Sequence, residues 1–275
     1  MGGIIMLVGC AVGAATVGLV YGLPAEGLWS LALIAGFGGI GATDDRLSLR
    51  RGRNLGLRAR DKFLLQIVLA VIFTVAAASV VIPKHETTVA GVELGLWYWP
   101  LAVVFIVGLS NAANLADGLD GLTAGCSAIA YAGAAIMSLT LAGPQPLALV
   151  AGAMAGASLG LLWFGAHPAQ VFMGDTGSLA LGAGLAGIAL LGKIEVPVLV
   201  ATLPFWVETL SVIAQVTVFK WRRRTHGVEY AKSHRLLRRA PLHHHFEEAG
   251  HPETRIVARF WVAAALCTAA ALAIR

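Results

Sequence analysis

Two adjacent aspartates are the first residues in this chain whose type and spacing suggest chemistry. Asp44 and Asp45 follow the apolar stretch at about residues 28–43 and precede Arg46. Adjacent carboxylates at the end of a membrane segment are costly unless they are protonated, paired or bound to a cation. The pair therefore favours metal binding or general-base work. A plain helix-end charge in the headgroup region is the alternative.

A second motif places four amide and carboxylate side chains within ten residues of one another. Residues 111–122 read Asn-Ala-Ala-Asn-Leu-Ala-Asp-Gly-Leu-Asp-Gly-Leu. Asn111 and Asn114 are three residues apart and share a face of a helix. Asp117 and Asp120 follow them, each with a glycine that permits a tight turn. A turn alone would need only two of these four side chains, so the pattern indicates a binding site.

A third motif, residues 167–178, reads His-Pro-Ala-Gln-Val-Phe-Met-Gly-Asp-Thr-Gly-Ser. Asp175 precedes a helix start rich in glycine and serine, and its type suits a helix N-cap. The same helix start would also suit phosphate, because helix N-termini bind anions. Phe172 is placed to stack on a base, or to anchor the chain at the membrane interface.

The fourth motif is the run Pro-Leu-His-His-His-Phe-Glu at residues 241–247. Three consecutive histidines point in different directions, so one zinc ion bound by all three is disfavoured. Histidines beside many arginines are better suited to donate hydrogen bonds to phosphate. The aspartates of the other motifs supply hard oxygen ligands, and no cysteine stands among them. This ligand set favours Mg²⁺ over zinc or copper. Mg²⁺ beside phosphate donors predicts phosphoryl transfer.

The composition predicts where these motifs lie. Of the 275 residues 57% are apolar and 13% are charged, whereas about 25% are charged in a typical soluble chain. We expect an all-α, polytopic transmembrane bundle of about nine spans, forming one integral-membrane domain over residues 1–275. The expected spans are 3–22, 28–43, 62–82, 98–114, 121–141, 146–164, 176–192, 196–219 and 256–274.

The basic residues predict the orientation. Sixteen of the twenty Lys and Arg residues fall in the segments 46–62 and 220–255. With nine spans, both segments lie on the same side of the membrane. The positive-inside rule assigns that side to the cytoplasm, with the N-terminus inside and the C-terminus outside. All six aspartates then lie in or next to inner loops. The net charge of +5 needs no nucleic-acid partner, because this bias explains most of it.

At these four motifs the chain resembles the polyprenyl-phosphate N-acetylhexosamine-1-phosphate transferases, from residue 1 to its end. The form PLHHHFE is similar to the branch that moves phospho-MurNAc-pentapeptide from UDP-MurNAc-pentapeptide to undecaprenyl phosphate, giving lipid I and UMP. The resemblance implies a Mg²⁺-dependent enzyme of the bacterial inner membrane, a homodimer, with its active site facing the cytoplasm.

The resemblance also implies roles for individual residues. The implied metal ligands are Asp175 and Asn114. The implied catalytic residues are Asp44, Asp45, Asp175 and His243, with one of the aspartate pair assisting deprotonation of the lipid phosphate. The implied substrate-binding residues are Asn111, Asn114, Asp117, Asp120, Phe172, His244, His245 and Arg60.

The chain departs from the family's pattern at three places. The family has a further first span and a Thr-Pro-Thr-Met-Gly-Gly stretch, of which this sequence holds Met1-Gly2-Gly3. A lysine usually found after the aspartate pair is replaced by Ser48, for which Arg50 and Arg51 are candidate substitutes. An asparagine that usually precedes the third motif is replaced by Gly165.

Two other functions remain open on the sequence alone. One is a sister transferase that uses UDP-GlcNAc, although the PLHHHFE form argues against it. The other is an inactive or transport-type membrane protein. Transporters place ionisable groups near the bilayer midplane, and Glu208 is the one clear acid within a predicted span. An interhelical polar contact is the alternative role for Glu208.

Overall fold

The computed structural model describes residues 2–51, 56–80, 87–142 and 145–274. Arg53, which belongs to the predicted basic segment 46–62, lies outside the described residues, as does the side chain of Arg51.

Helices make up almost all of the described chain. They are α1 (Gly2–Tyr21), α2 (Ala25–Arg51), α3 (Ala59–Val80), α4 (Tyr98–Ala116), α5 (Leu122–Met137), α6 (Gln145–Gly165), α7 (Gly174–Gly192), α8 (Glu195–Ala201), α9 (Leu203–His226), α10 (Val228–Ser233), α11 (Leu242–Glu248) and α12 (Glu253–Leu272). A short antiparallel hairpin, β1 (Thr88–Val89) and β2 (Val92–Glu93), precedes α4.

The predicted all-α, polytopic membrane fold is confirmed. Among the described residues, eight helices are long and apolar enough to cross a bilayer, and the bent pair α8 and α9 brings the number to nine. The stretch expected as one span at 196–219 is not a straight helix, because α8 and α9 meet at 71°. The break falls at Thr202, and Pro204 in the first turn of α9 has no N–H with which to continue α8.

Helix α7 is the centre of the bundle and is buried along almost its whole length. It packs mainly against α2 and α4. Small residues let these helices approach closely, as in membrane bundles generally. A Cβ at Gly41 would collide with the carbonyl group of Asp175. The end of α2 that carries the aspartate pair is therefore fixed against the start of α7.

The start of α1 positions the loop that leads into α7. The backbone N–H of Gly2 donates to the carbonyl of Phe172 at 2.8 Å, and that of Gly3 donates to Met173 at 3.0 Å. These bonds satisfy two of the free N–H groups at a helix start. They also fix the backbone within the third motif, just before Asp175.

Candidate active site

Three aspartates from two motifs form one carboxylate cluster. Each of Asp44, Asp45 and Asp175 offers a carboxylate oxygen, and these oxygens all lie within 4.8 Å of one another. The first two come from the last turns of α2, and Asp175 is the second residue of α7. The helix contact at Gly41 brings them together. The cluster can therefore hold a metal ion.

Asp45 caps the N-terminus of α7. Its Oδ1 accepts a hydrogen bond from the backbone N–H of Asp175 at 3.1 Å, and its Oδ2 accepts from the N–H and the hydroxyl of Thr176 at 3.1 and 2.6 Å. A carboxylate is favourable there because the helix N-terminus carries partial positive charge. Gly174 has φ +64°, and a Cβ there would approach Asp45 Oδ2 to 2.6 Å. The side chain of Asp175 is thus not the cap, contrary to the alternative role suggested by the sequence.

The Asp175 carboxylate contacts two other helices instead. Its Oδ1 accepts a hydrogen bond from Asn114 Nδ2 at 2.7 Å, and its Oδ2 forms an ion pair with Lys62 in the first turn of α3. Asn114 Nδ2 also contacts Ser178 Oγ at 2.9 Å. On the sequence alone, Lys62 was only one of the basic residues in the segment 46–62. Its place at the start of the predicted third span was the signal that could have singled it out.

Among the described residues, the cluster has more negative than positive charge. Asp44 Oδ1 accepts a hydrogen bond from the backbone N–H of Leu57 at 2.8 Å. Within the part of the chain that the structure describes, Lys62 is the cation that forms an ion pair with one of the three carboxylates. All three aspartates are partly exposed. Hard oxygen donors with excess negative charge suit a divalent cation such as Mg²⁺ or Ca²⁺.

A cavity of about 350 Å³ lies beside the cluster and is lined by residues of the first three motifs. The polar and aromatic residues of its wall are Asp45, Asn114, Asp117, Asp120, Phe172 and Asp175. Phe172 is 69% exposed. Gly165 also lines the cavity, so the position that departs from the family's asparagine faces it. Burial raises the pKa of Asp117 to about 7, and the nearby carboxylates of Asp175 and Asp45 add to this shift.

Two predicted substrate-binding residues lie away from this cavity. Asn111 Nδ2 donates to Gln66 Oε1 of α3 at 2.6 Å and to the carbonyl of Val107 at 2.8 Å. Arg60 is exposed in the first turn of α3. Asn111 therefore connects α4 to α3, and the binding roles of Asn111 and Arg60 stay predictions. Gln66, its buried partner, was not singled out by any sequence pattern.

The first histidine of the fourth motif supports the cavity wall from behind. His243 and Glu208 are both fully buried. The backbone N–H of His243 lies 3.1 Å from Glu208 Oε1, and its Nδ1 lies 3.1 Å from Glu208 Oε2. Its Nε2 has no hydrogen-bond partner among the described residues and faces Gly118, where a Cβ would collide with it. Glu208 thus makes a polar contact between α9 and α11. An interhelical polar contact was one of the two roles predicted for it.

The other two histidines make contacts within their own loop. His244 Nδ1 lies 2.8 Å from Glu247 Oε2, and His245 Nδ1 accepts a hydrogen bond from the backbone N–H of Arg238 at 3.1 Å. Neither residue lines the cavity. Their predicted role in binding the phosphate groups of the substrate stays a prediction.

The fold and this cavity define a polytopic membrane protein with a carboxylate-rich site at its helix ends. Residues 28–193, which include the first three motifs, match the family described as Glycosyl transferase family 4.

Similar proteins identify the branch. A phospho-N-acetylmuramoyl-pentapeptide-transferase of Gemmatimonas aurantiaca is 43% identical, over 89% of this chain and 73% of that protein. A protein of the same name in Shouchella clausii is 40% identical, over 95% of this chain and 78% of that protein. Another in Corynebacterium urealyticum is 38% identical, over 97% of this chain and 81% of that protein. The chain therefore belongs to the phospho-N-acetylmuramoyl-pentapeptide-transferases of glycosyl transferase family 4, which confirms the resemblance found at the four motifs.

Proposed function

We propose that this protein transfers phospho-MurNAc-pentapeptide from UDP-MurNAc-pentapeptide to undecaprenyl phosphate, giving lipid I and UMP. The observation that carries the proposal is the carboxylate cluster of Asp44, Asp45 and Asp175, of which Asp45 and Asp175 line a cavity formed by the first three motifs. The names of the relatives support the same reaction. The net reaction joins the lipid phosphate to the sugar phosphate and releases UMP as the leaving group.

Mg²⁺ is the cofactor that this donor set fits best. The cluster offers aspartate oxygens without cysteine or histidine, and Mg²⁺ prefers such ligands near substrate phosphates. Asp175 and Asn114 would hold the ion, with Asp44 close enough to contribute. When bound, the ion would neutralise charge on the diphosphate and help to orient it.

The two members of the aspartate pair have different tasks in this proposal. Asp45 already accepts three hydrogen bonds from the start of α7, so it positions Asp175. Asp44 accepts a backbone hydrogen bond from Leu57 and is not part of the cap on α7, so it is the better candidate to take a proton from the lipid phosphate. Phe172 is exposed at the cavity and would stack on the uracil ring.

The cavity would face the cytoplasm of a bacterium from its inner membrane. The exposed basic residues Arg46, Arg58 and Arg60 flank the carboxylate cluster at the same ends of α2 and α3. By the positive-inside rule, they favour the cytoplasm for this end of the bundle. The homodimer stays part of the same proposal.

The test is release of UMP from UDP-MurNAc-pentapeptide by the purified protein with undecaprenyl phosphate. We expect release to require Mg²⁺ and to be lost in Asp175→Asn, because that substitution removes the charge at the centre of the cluster. Asp61→Asn is the matched control, because Asp61 is exposed in the first turn of α3 and should keep wild-type turnover.

Three results would contradict the proposal. Unchanged turnover in Asp175→Asn would overturn the assignment of the site. Preference for UDP-GlcNAc in a paired assay would overturn the donor. Absence of UMP release by the wild-type protein with either donor would favour the inactive or transport-type alternative.

A further inference from the structure

A second polar contact joins the two walls of the cavity, away from the carboxylate cluster. His167 Nδ1 lies 3.3 Å from Asp120 Oδ2 and 3.2 Å from Glu253 Oε2. Glu253 Oε1 accepts a hydrogen bond from the backbone N–H of Asp120 at 2.7 Å. We call these three residues the wall clamp. No feature of the sequence singled out Glu253, and His167 had no role assigned within its motif.

Each member of the wall clamp comes from a different part of the fold. Asp120 lies in the turn between α4 and α5, His167 lies in the loop between α6 and α7, and Glu253 is the first residue of α12. Asp120 Oδ2 also accepts a hydrogen bond from the backbone N–H of Ala169 at 3.0 Å. The turn that carries Asp117 is thus bonded to the loop that leads to Phe172, and α12 is bonded to both.

The contacts are more than an exposed ion pair. Exposed pairs are worth little because water and salt screen them, but the Asp120 and Glu253 side chains are only 20% and 25% exposed. Each carboxylate also binds a backbone N–H, which has a fixed place in the fold. Losing such a charge-assisted bond leaves a partly buried N–H without its partner. The three side chains could group around a cation, but these backbone bonds already explain the arrangement.

We propose that His167 and Glu253 are positioning residues for the nucleotide part of the donor substrate. The wall clamp sets the separation between the Asp117–Asp120 turn and Phe172, both of which line the cavity. Binding sites need their walls placed to within about 0.5 Å, so loosening the clamp weakens donor binding. The inference rests on the proposed function, and it extends that function to two residues for which the resemblance implied no role.

The clamp should not affect the reacting end of the site. Asp175 is fixed independently by Lys62, Asn114 and Asp45. A change at Glu253 therefore acts on binding of the donor, while the chemical step and the lipid substrate are left unchanged. This division between KM and kcat is what separates a positioning role from a general structural one.

The experiment compares steady-state constants of Glu253→Ala and Glu253→Gln with the wild type. We expect KM for UDP-MurNAc-pentapeptide to rise about tenfold in Glu253→Ala. Glu253→Gln keeps an acceptor for the Asp120 N–H and loses the charge beside His167, so a rise of about threefold is expected. KM for undecaprenyl phosphate and kcat should stay within about twofold of wild type. His167→Gln should match Glu253→Gln.

Glu229→Ala is the matched control, because the Glu229 side chain is 82% exposed and pairs with Lys232 on α10. It should leave every constant unchanged. If Glu253→Ala fails to fold, Glu253→Gln and His167→Gln decide the question, since both preserve size and hydrogen bonding. Melting temperatures in detergent identify a variant that does not fold.

Two kinds of failure can be told apart. An unchanged donor KM in all clamp variants, on an active wild-type background, would overturn the wall clamp and leave the proposed function intact. An equal rise in both KM values, or a fall in kcat alone, would overturn it as well, because either would indicate general distortion. A wild-type protein that releases no UMP would refute the proposed function and this inference with it.

Discussion

The carboxylate cluster of Asp44, Asp45 and Asp175 contacts the cavity, whereas the Glu208–His243 pair is buried behind the turn that lines it. The cluster combines three partly exposed carboxylates with one ion-paired lysine. The pair has a single carboxylate whose two oxygens both contact His243, and neither side chain is exposed. Charge is in excess where the cavity can supply a ligand. It is matched by a hydrogen-bond partner where both side chains are fully buried.

This difference distinguishes two roles of acidic side chains in one membrane protein. Ionisable groups within a membrane bundle are costly and are kept mostly for function. A carboxylate without a balancing positive charge is stabilised by the ligand that it binds, so its removal should affect activity more than folding. A buried carboxylate whose two oxygens both have protein partners is part of the fold, so its removal should affect stability first. The following substitutions test that division.

The largest expected effect is on the rate, from Asp44→Asn. The substitution removes the proposed base and keeps the size of the side chain, so kcat should fall by about 10³-fold. The melting temperature should not fall, because one of three crowded carboxylates is neutralised. Steady-state kinetics and thermal unfolding in detergent provide the two measurements.

Asp45→Asn is the matched comparison within the pair. It weakens the cap on α7, so the free energy of unfolding should fall by about 1 kcal/mol, with a loss of activity as Asp175 moves. If Asp44→Asn destabilised the protein more than Asp45→Asn, the different tasks assigned to the two aspartates would be wrong.

The next effect is on stability, from Glu208→Gln. Breaking a buried charged contact by changing one partner typically costs about 3–5 kcal/mol, so the melting temperature should fall clearly. Turnover should fall as well, because His243 supports Gly118 in the cavity wall. Thermal unfolding of Glu208→Gln beside Asp175→Asn makes the comparison direct. A stable Glu208→Gln protein that had lost solute transport, beside Asp175→Asn with normal transport, would support the transporter alternative instead.

The sequence predicted the cluster better than the pair, for a physical reason. Asp44 and Asp175 each stand next to an apolar stretch, so hydropathy alone places them at helix ends, and the count of spans places those ends on one face. The contact between Lys62 and Asp175 depends on how α3 is rotated about its axis. Pattern and composition do not fix that rotation.

The same limit explains what was missed around α9 and α12. Glu208 was recognised as an acid within a span, but its partner could not be named, because the 71° break at Thr202 decides where α9 points. Glu253 meets Asp120 across 133 positions of sequence. Such contacts follow from packing in three dimensions, and a single sequence gives no local signal for them.

The smallest expected effect is a change in how stability depends on pH, from Asp117→Asn. The folded protein raises the pKa of Asp117 from 3.8 to about 7, so the folded state binds the proton more tightly than the unfolded state does. Stability from this group is therefore present at low pH. It is lost as the pH rises from about 4 through about 7, because burial disfavours ionised Asp117 and the carboxylates of Asp175 and Asp45 lie near it.

Asp117→Asn removes that dependence. With a chelator present to keep cations from the cluster, the melting temperature of Asp117→Asn should equal that of the wild type near pH 4. It should exceed the wild-type value by about 2–4 °C at pH 8, which is less than the full pKa shift implies, because Asp117 is partly exposed and water screens its charge. Glu229→Gln, which neutralises an exposed acid on α10, should show no such divergence. Parallel pH profiles for Asp117→Asn and the wild type would mean that neither burial nor the neighbouring carboxylates destabilise ionised Asp117. The excess of negative charge would then be confined to Asp44, Asp45 and Asp175, and would not extend along the cavity wall.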